Sequence, residues 1–256
     1  MKAASVLQEK IKAGGPTTGI LVTNHLWPEL VEVALEAALD YLIIDAEHGA
    51  FSPELIADVC ALGRLLDFPI LLRPVSHELT TVRRALDIGP CGMLLPGIET
   101  AAMLDQVRDG VYLPPRGLRR PGGPGNRWVK DYSYDSWKGS VEDDLIVLPQ
   151  IETRRGLDHL EEIANHEITT AMAIGPYDLS VDLGVCGQTS APAVQEAVGR
   201  IRAAARSAGK QMWMIGNGPE LRRQGFTFLC IGEPTWLLQA TLRRLVQEIK
   251  GGESNV

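Results

Sequence analysis

Eight times along this chain a short apolar run rich in β-branched residues gives way to a helical pattern, and that alternation fixes the class of fold. The runs are Gly19–Val22, Tyr41–Ile44, Ile70–Leu72, Met93–Leu95, Leu145–Leu148, Ala171–Ile174, Met212–Ile215 and Phe228–Ile231. They are continuous rather than alternating, which suits strands buried on both faces of a parallel sheet. Between them lie helical patterns. Pro28 to Leu39 sets Leu30, Val33, Ala34, Ala37 and Ala38 on one face; Ser52 is an N-cap before Pro53; Leu79, Val82 and Leu86 form a stripe. Pro192 opens a helix through Ala205, and Thr235 to Lys250 closes the chain. Eight such units in one domain spanning residues 1–256 read as α/β, a (β/α)8 TIM barrel. A doubly wound open sheet fits less well. Polar residues gather at the C-terminal ends of runs two, three, five and six, which a barrel collects round one mouth and an open sheet scatters along an edge.

Composition narrows the partners. A chain of 256 residues with 45% apolar content buries a full core. A formal charge of −7 argues against nucleic-acid or anionic-membrane partners, since phosphate binding needs a basic face. Cys60, Cys91, Cys186 and Cys230 show no CxxC spacing and read as core residues of a reducing compartment. The N-terminus does not resemble a signal peptide, and no apolar stretch reaches the roughly 18 residues of a membrane span. The expectation is a cytoplasmic protein.

The chemistry concentrates between Leu145 and Gly184, which contains LIVLPQIET and TAMAIGPYDLSVDLG. Alternation along the fifth run turns Gln150 and Glu152 to the same side at its C-terminal end. The sixth run breaks at Gly175-Pro176, and Asp178 follows at once. One carboxylate at a strand end is ordinarily a cap or half of an ion pair. Two on adjacent strand ends, with no Lys or Arg in either strand, point to a divalent cation. Two carboxylates with water and substrate completing the shell is the way Mg²⁺ or Mn²⁺ is held, and the lack of thiolate and imidazole counts against zinc. Arg73 points inward, and either pairs with Asp45 or presents its planar cation to a substrate carboxylate or enolate oxygen. His48 lies three residues past Asp45 and is a candidate proton carrier. A helix beginning near Asp178 would offer free N–H groups to a carboxylate, with Tyr177 beside the substrate. The segment Leu113–Asp144, rich in Gly, Pro and Arg, is too long for an ordinary connection and reads as a lid or a subunit contact.

Six pieces in order resemble the HpcH/HpaI family of 4-hydroxy-2-oxoheptanedioate aldolases, the metal-dependent class II pyruvate aldolases. They are LIIDAEHG at Leu42, LLRP at Leu71, ALDIGPCGMLLPGIET at Ala85, PPRGLR at Pro114, LPQIET at Leu148 and IGPYDLSVDLG at Ile174. The resemblance implies a barrel of the phosphoenolpyruvate/pyruvate type that forms a homo-oligomer, trimeric or hexameric, with its last helix against a neighbouring subunit. It implies Glu152 and Asp178 as ligands of Mg²⁺, Mn²⁺ or Co²⁺, with Gln150 hydrogen-bonding in the same pocket. Arg73 would stabilise the pyruvate enolate with Asp45 supporting it, and His48 would assist proton transfer, held by Asp87. Gly175, Tyr177 and Asp178 would contact the keto-acid carboxylate. Asp87 precedes the fourth strand, so it reaches His48 only if the segment before it is bent or comes from another subunit. The family often has a small residue where Tyr177 stands, which implies a narrower or aromatic acceptor pocket.

The expected activity is reversible cleavage of a 4-hydroxy-2-oxo acid to pyruvate, or a related 2-oxo acid, and an aldehyde. One alternative is a citrate-synthase-like condensation of oxaloacetate with acetyl-CoA in siderophore biosynthesis, with Arg116, Arg119, Arg120 and Arg127 on the CoA phosphates. The other is a non-catalytic oligomeric barrel. Trp236, Leu237 and Leu238 open a terminal helix more apolar than one barrel can bury, which also points to an oligomer.

Overall fold

In the computed structural model, which describes residues 1–129 and 133–250, eight parallel strands close into a barrel in sequence order. They are β1 (Thr17–Val22), β2 (Tyr41–Asp45), β3 (Ile70–Arg73), β4 (Gly92–Leu95), β5 (Ile146–Ile151), β6 (Met172–Ile174), β7 (Met212–Ile215) and β8 (Phe228–Cys230). β8 closes on β1 with Thr17 opposite Phe228 and Gly19 opposite Cys230. The outer helices are α1 (Lys2–Ala13), α2 (Leu30–Glu36), α3 (Pro53–Leu65), α4 (Leu79–Ile88), α5 (Ala101–Val111), α6 (Tyr134–Trp137), α7 (Arg154–Asp158), α8 (Leu160–Asn165), α9 (Pro176–Asp182), α10 (Pro192–Ser207), α11 (Gly218–Arg223) and α12 (Pro234–Ile249). The Ser52 hydroxyl accepts from the Leu55 N–H and starts α3, as an N-cap before proline should. The expected helix Pro28–Leu39 is shorter, because the turn at Pro28 holds its first residues and Ala38 adopts φ 56°.

The barrel interior is packed with side chains. Tyr41 donates to the Leu229 carbonyl (2.7 Å), receives a bond from Trp213 Nε1 (2.8 Å) and meets Phe228 edge-on. Its ring fits because Gly19, its register partner, has no side chain: a Cβ there would stand 2.5 Å from the ring. α1 closes the N-terminal end of the barrel, burying Ala3, Ala4, Leu7 and Ile11.

The segment 113–144 is not a lid over the mouth. Its described residues pack at the N-terminal end of the strands. Trp137 and Val141 are buried, Trp128 donates to the Gly89 carbonyl (3.0 Å), and Glu142 accepts from the Leu113 N–H (2.6 Å). The buried Arg119 bonds Asp87 (2.9 Å) and stacks over the Trp137 ring. Gly, Pro and Arg suit tight turns and buried ion pairs as well as mobile loops, which is why composition alone misplaces this stretch.

α12 stands apart from the other helices, since none of its residues is buried. Leu238, Leu242, Leu245 and Ile249 fall at i, i+4, i+7 and i+11, making one exposed apolar stripe. Among the described residues no helix is long and apolar enough to cross a membrane.

Candidate active site at the mouth of the barrel

The C-terminal ends of the strands surround a cavity of about 560 Å³. Asp45, His48, Arg73, Gln150, Gly175, Tyr177 and Asp178 all line it. Asp45 and Arg73 are register partners at the ends of β2 and β3. Arg73 donates from Nε to Asp45 Oδ1 (2.9 Å) and from Nη2 to Oδ2 (2.6 Å), a fork-on-carboxylate pair. Burial works against the Arg73 charge, but the bonds to Asp45 outweigh it and hold the guanidinium pKa above its ordinary value. Burial likewise opposes the Asp45 charge, and Arg73 more than offsets it, so the Asp45 pKa is lowered. Asp45 also shapes the chain that follows. Its Oδ1 accepts from the Glu47 and His48 N–H groups, and its Oδ2 from the Thr23 hydroxyl.

Glu47, which the sequence reading left out, belongs to this group. Its Oε2 lies 3.2 Å from Arg73 Nε and 3.8 Å from His48 Nε2. Burial pushes its carboxyl up, Arg73 and His48 pull it down, and Asp45 and Asp178 add repulsion; the net shift is upward. The signal was present in the sequence, because a period-two extension of β2 turns Asp45 and Glu47 to the same side.

Glu152 follows the last residue of β5, and Asp178 sits in the first turn of α9 rather than on a strand. Glu152 Oε2 accepts from the Gly97 N–H (2.7 Å). Burial pushes the Glu152 carboxyl up to about 7 against that bond, with Asp178 and Glu47 adding repulsion. Beside it, Gln150 Oε1 is buried without a hydrogen-bond partner among the described residues. Gly175 leaves the room they occupy: a Cβ there would stand 2.3 Å from Glu152 Oε1 and 2.7 Å from Gln150 Nε2.

This arrangement fits a hard divalent cation. It concentrates carboxylates that repel one another, keeps an unmatched amide oxygen beside them, and supplies oxygen donors only. Among the described residues no three His, Cys, Asp or Glu side chains converge as a cage. Glu152 and Asp178 therefore suit an ion that leaves most of its shell to water and substrate.

Asp87 does not join this site within one chain. It lies in the last turn of α4, and its Oδ1 accepts from Arg119 Nη2 and the Gly122 N–H at the opposite end of the barrel. The expected Asp87–His48 contact is absent from the described chain because a helix that leads into a parallel strand ends at the strand's N-terminal side. Two of the arginines considered for CoA phosphates are committed elsewhere. Arg119 is buried on Asp87, and Arg116 pairs with Glu142, Asp143 and Glu167.

Comparison with known proteins identifies the family of the whole chain. The sequence profile described as HpcH/HpaI aldolase/citrate lyase matches residues 22–234. A 2-keto-3-deoxy-L-rhamnonate aldolase of Shigella boydii serotype 4 is 28% identical over 255 residues, covering 96% of this chain and 94% of the relative. The crystal structure of an HpcH/HpaI aldolase from Desulfitobacterium hafniense DCB-2 superposes with a TM-score of 0.86 at 28% identity, covering 97% of each chain. An HpcH/HpaI aldolase/citrate lyase family protein from Burkholderia cenocepacia J2315 gives a TM-score of 0.84 at 26% identity, covering 96% of this chain and 99% of its own. With the barrel closed and the profile spanning all but its ends, the chain belongs to the HpcH/HpaI aldolase/citrate lyase family and is an enzyme, a carbon–carbon lyase of the aldolase kind.

Proposed function

We propose that this enzyme cleaves a 4-hydroxy-2-oxo acid to pyruvate, or a related 2-oxo acid, and an aldehyde, and joins them in reverse. The observation that carries the reading is the mouth itself. One inward guanidinium, Arg73, already paired with Asp45, faces a region that also holds the carboxylates Glu152, Asp178 and Glu47. A dianionic enolate needs fixed positive charge, and these carboxylates need a cation; a divalent metal on Glu152 and Asp178 meets both demands. When bound, such an ion (Mg²⁺, Mn²⁺ or Co²⁺) supplies Lewis-acid polarisation of the 2-oxo carbonyl.

The chain's own residues do the rest. Arg73, held flat by two bonds to Asp45, keeps Nη1 free of any protein partner among the described residues; that N–H group donates to the enolate oxygen. Gln150 hydrogen-bonds to the 2-oxo acid. The opening turn of α9 offers the N–H groups of Tyr177 and Asp178 to the substrate carboxylate, and Gly175 keeps the floor low enough for it to enter. His48, exposed at the rim and facing Glu47, takes the 4-hydroxyl proton in cleavage and returns it in condensation. The name of the Shigella relative, an aldolase for a 2-keto-3-deoxy acid, supports the 2-oxo-acid half of this assignment.

The exposed stripe of α12 supports a homo-oligomer in which this helix packs on a neighbouring subunit. Four free cysteines, three of them buried, suit the reducing cytoplasm. The deciding experiment incubates the enzyme with pyruvate and a panel of aldehydes in Mn²⁺ and reads products by NMR. New 4-hydroxy-2-oxo acids are expected, and their absence together with no exchange of the pyruvate methyl protons into D₂O would overturn the assignment.

A further inference from the structure

The mouth is divided by polarity, and the division follows the barrel. Asp45, Arg73 and Gln150 come from the ends of β2, β3 and β5, and Asp178 from the first turn of α9 after β6. The opposite arc, built by β7, β8 and β1, contributes Leu21, Trp213, Ile215, Gly216 and, from the first turn of α12, Trp236. Four polar groups on that arc are already used. Trp213 Nε1 donates to Tyr41, the Gly216 N–H to the Cys230 carbonyl (3.0 Å), the Leu21 N–H to the Gly232 carbonyl (3.0 Å), and the Thr23 hydroxyl to Asp45. Thr189 and Tyr177 stand exposed at the rim, where water reaches them.

The charged end of the substrate occupies the first arc, so the aldehyde substituent lies against the second. A chain carrying several hydroxyls would give up its water there and find few free donors or acceptors, which costs more than the area it buries returns. An apolar substituent loses nothing and covers Ile215 and the exposed face of Trp236. From this division we infer that the acceptor is an aldehyde with an apolar chain or ring, and not a polyhydroxylated one. The inference rests on the aldolase reading above and deepens it. In condensation the bond forms between C3 of pyruvate and the aldehyde carbon; a proton leaves C3 and one reaches the aldehyde oxygen, so no oxidant or reductant is required.

The test uses the full-length enzyme in Mn²⁺ with pyruvate. It compares pentanal and benzaldehyde with glyceraldehyde and lactaldehyde, while exchange of the pyruvate methyl protons into D₂O is followed separately. The expected result is a kcat/KM at least about tenfold higher for the apolar pair, the scale on which a hydrophobic pocket discriminates. Trp236→Gln should shrink that ratio several-fold while light scattering and a thermal melt match the parent enzyme. Exchange with equal or better use of the hydroxylated aldehydes would overturn the acceptor inference alone. Neither exchange nor any condensation product would overturn the aldolase reading and the inference with it.

Discussion

Arg73 grips Asp45 with two parallel hydrogen bonds, Nε to Oδ1 and Nη2 to Oδ2, across neighbouring strand ends where the two residues are register partners. The pair fixes the plane of the guanidinium, and Glu47 lies against the same Nε. A lysine could satisfy the charge but not the fork. Arg73→Lys is expected to lower kcat by roughly 100-fold or more with a modest change in melting temperature. Kinetics and a thermal melt on one preparation check this. A destabilised variant with nearly normal kcat would make Arg73 a structural residue.

The same pair sets a dependence on pH. The folded-state pKa of Asp45 lies below its ordinary 3.8, so its ionised form is favoured by folding. Its contribution is fully present above that ordinary value and is lost as pH falls through the lower folded value. Asp45→Asn should cost about 3–5 kcal/mol at neutral pH, the usual result of stranding one member of a buried pair. It should also flatten the acid limb of the stability curve below about pH 4. Urea melts from pH 3 to pH 7 on both proteins measure it, and parallel acid limbs would contradict the pairing.

Metal dependence follows from the crowding of Glu152 and Asp178. Chelation should abolish turnover, and Mn²⁺, Co²⁺ or Mg²⁺ should restore it. Glu152→Gln should weaken Mn²⁺ binding, read directly by titration calorimetry or by the electron-spin signal of free Mn²⁺. Full activity after exhaustive chelation, or a borohydride-trapped lysine adduct, would refute the scheme.

Asp87 and Arg119 give a prediction of a different kind. Arg119 is wholly buried with Asp87 as its carboxylate partner, and among the described residues Arg119 Nε and Nη1 have no hydrogen-bond partner. Asp87→Asn should therefore destabilise the fold by about 3 kcal/mol or more. A denaturation curve superimposable on wild type would remove that structural role.

Oligomerisation can be tested on α12. Leu242→Asp combined with Leu245→Asp places charge in the exposed stripe and should release protomers of 27.9 kDa, seen by light scattering. A wild-type protein already monomeric at micromolar concentration would refute the packing.

Much of this was legible in the sequence because barrels write their strands as short continuous apolar runs and their chemistry at the ends of those runs. Ile70–Arg73 and Met212–Ile215 show it plainly: three or four apolar residues in a row, with Arg73 at the very end of β3, then the turn. What escaped depends on distance along the chain. The partner of Asp87 is Arg119, and the neighbours of Pro124–Trp128 are α3 and α4, neither of which local periodicity can reveal. Glu47 escaped for another reason. It lies beyond the last paired residue of β2, where alternation still aims the side chain although the ladder has ended.

Gly175 has a backbone any residue could adopt, with φ −101° and ψ 90°. Its lack of a side chain therefore answers a demand for volume, not for torsion. Even alanine would act as a wedge, its Cβ standing 2.3 Å from Glu152 Oε1 and 2.7 Å from Gln150 Nε2. The barrel thus holds a point where the smallest possible enlargement falls directly on the carboxylate and the amide that the proposed chemistry depends on.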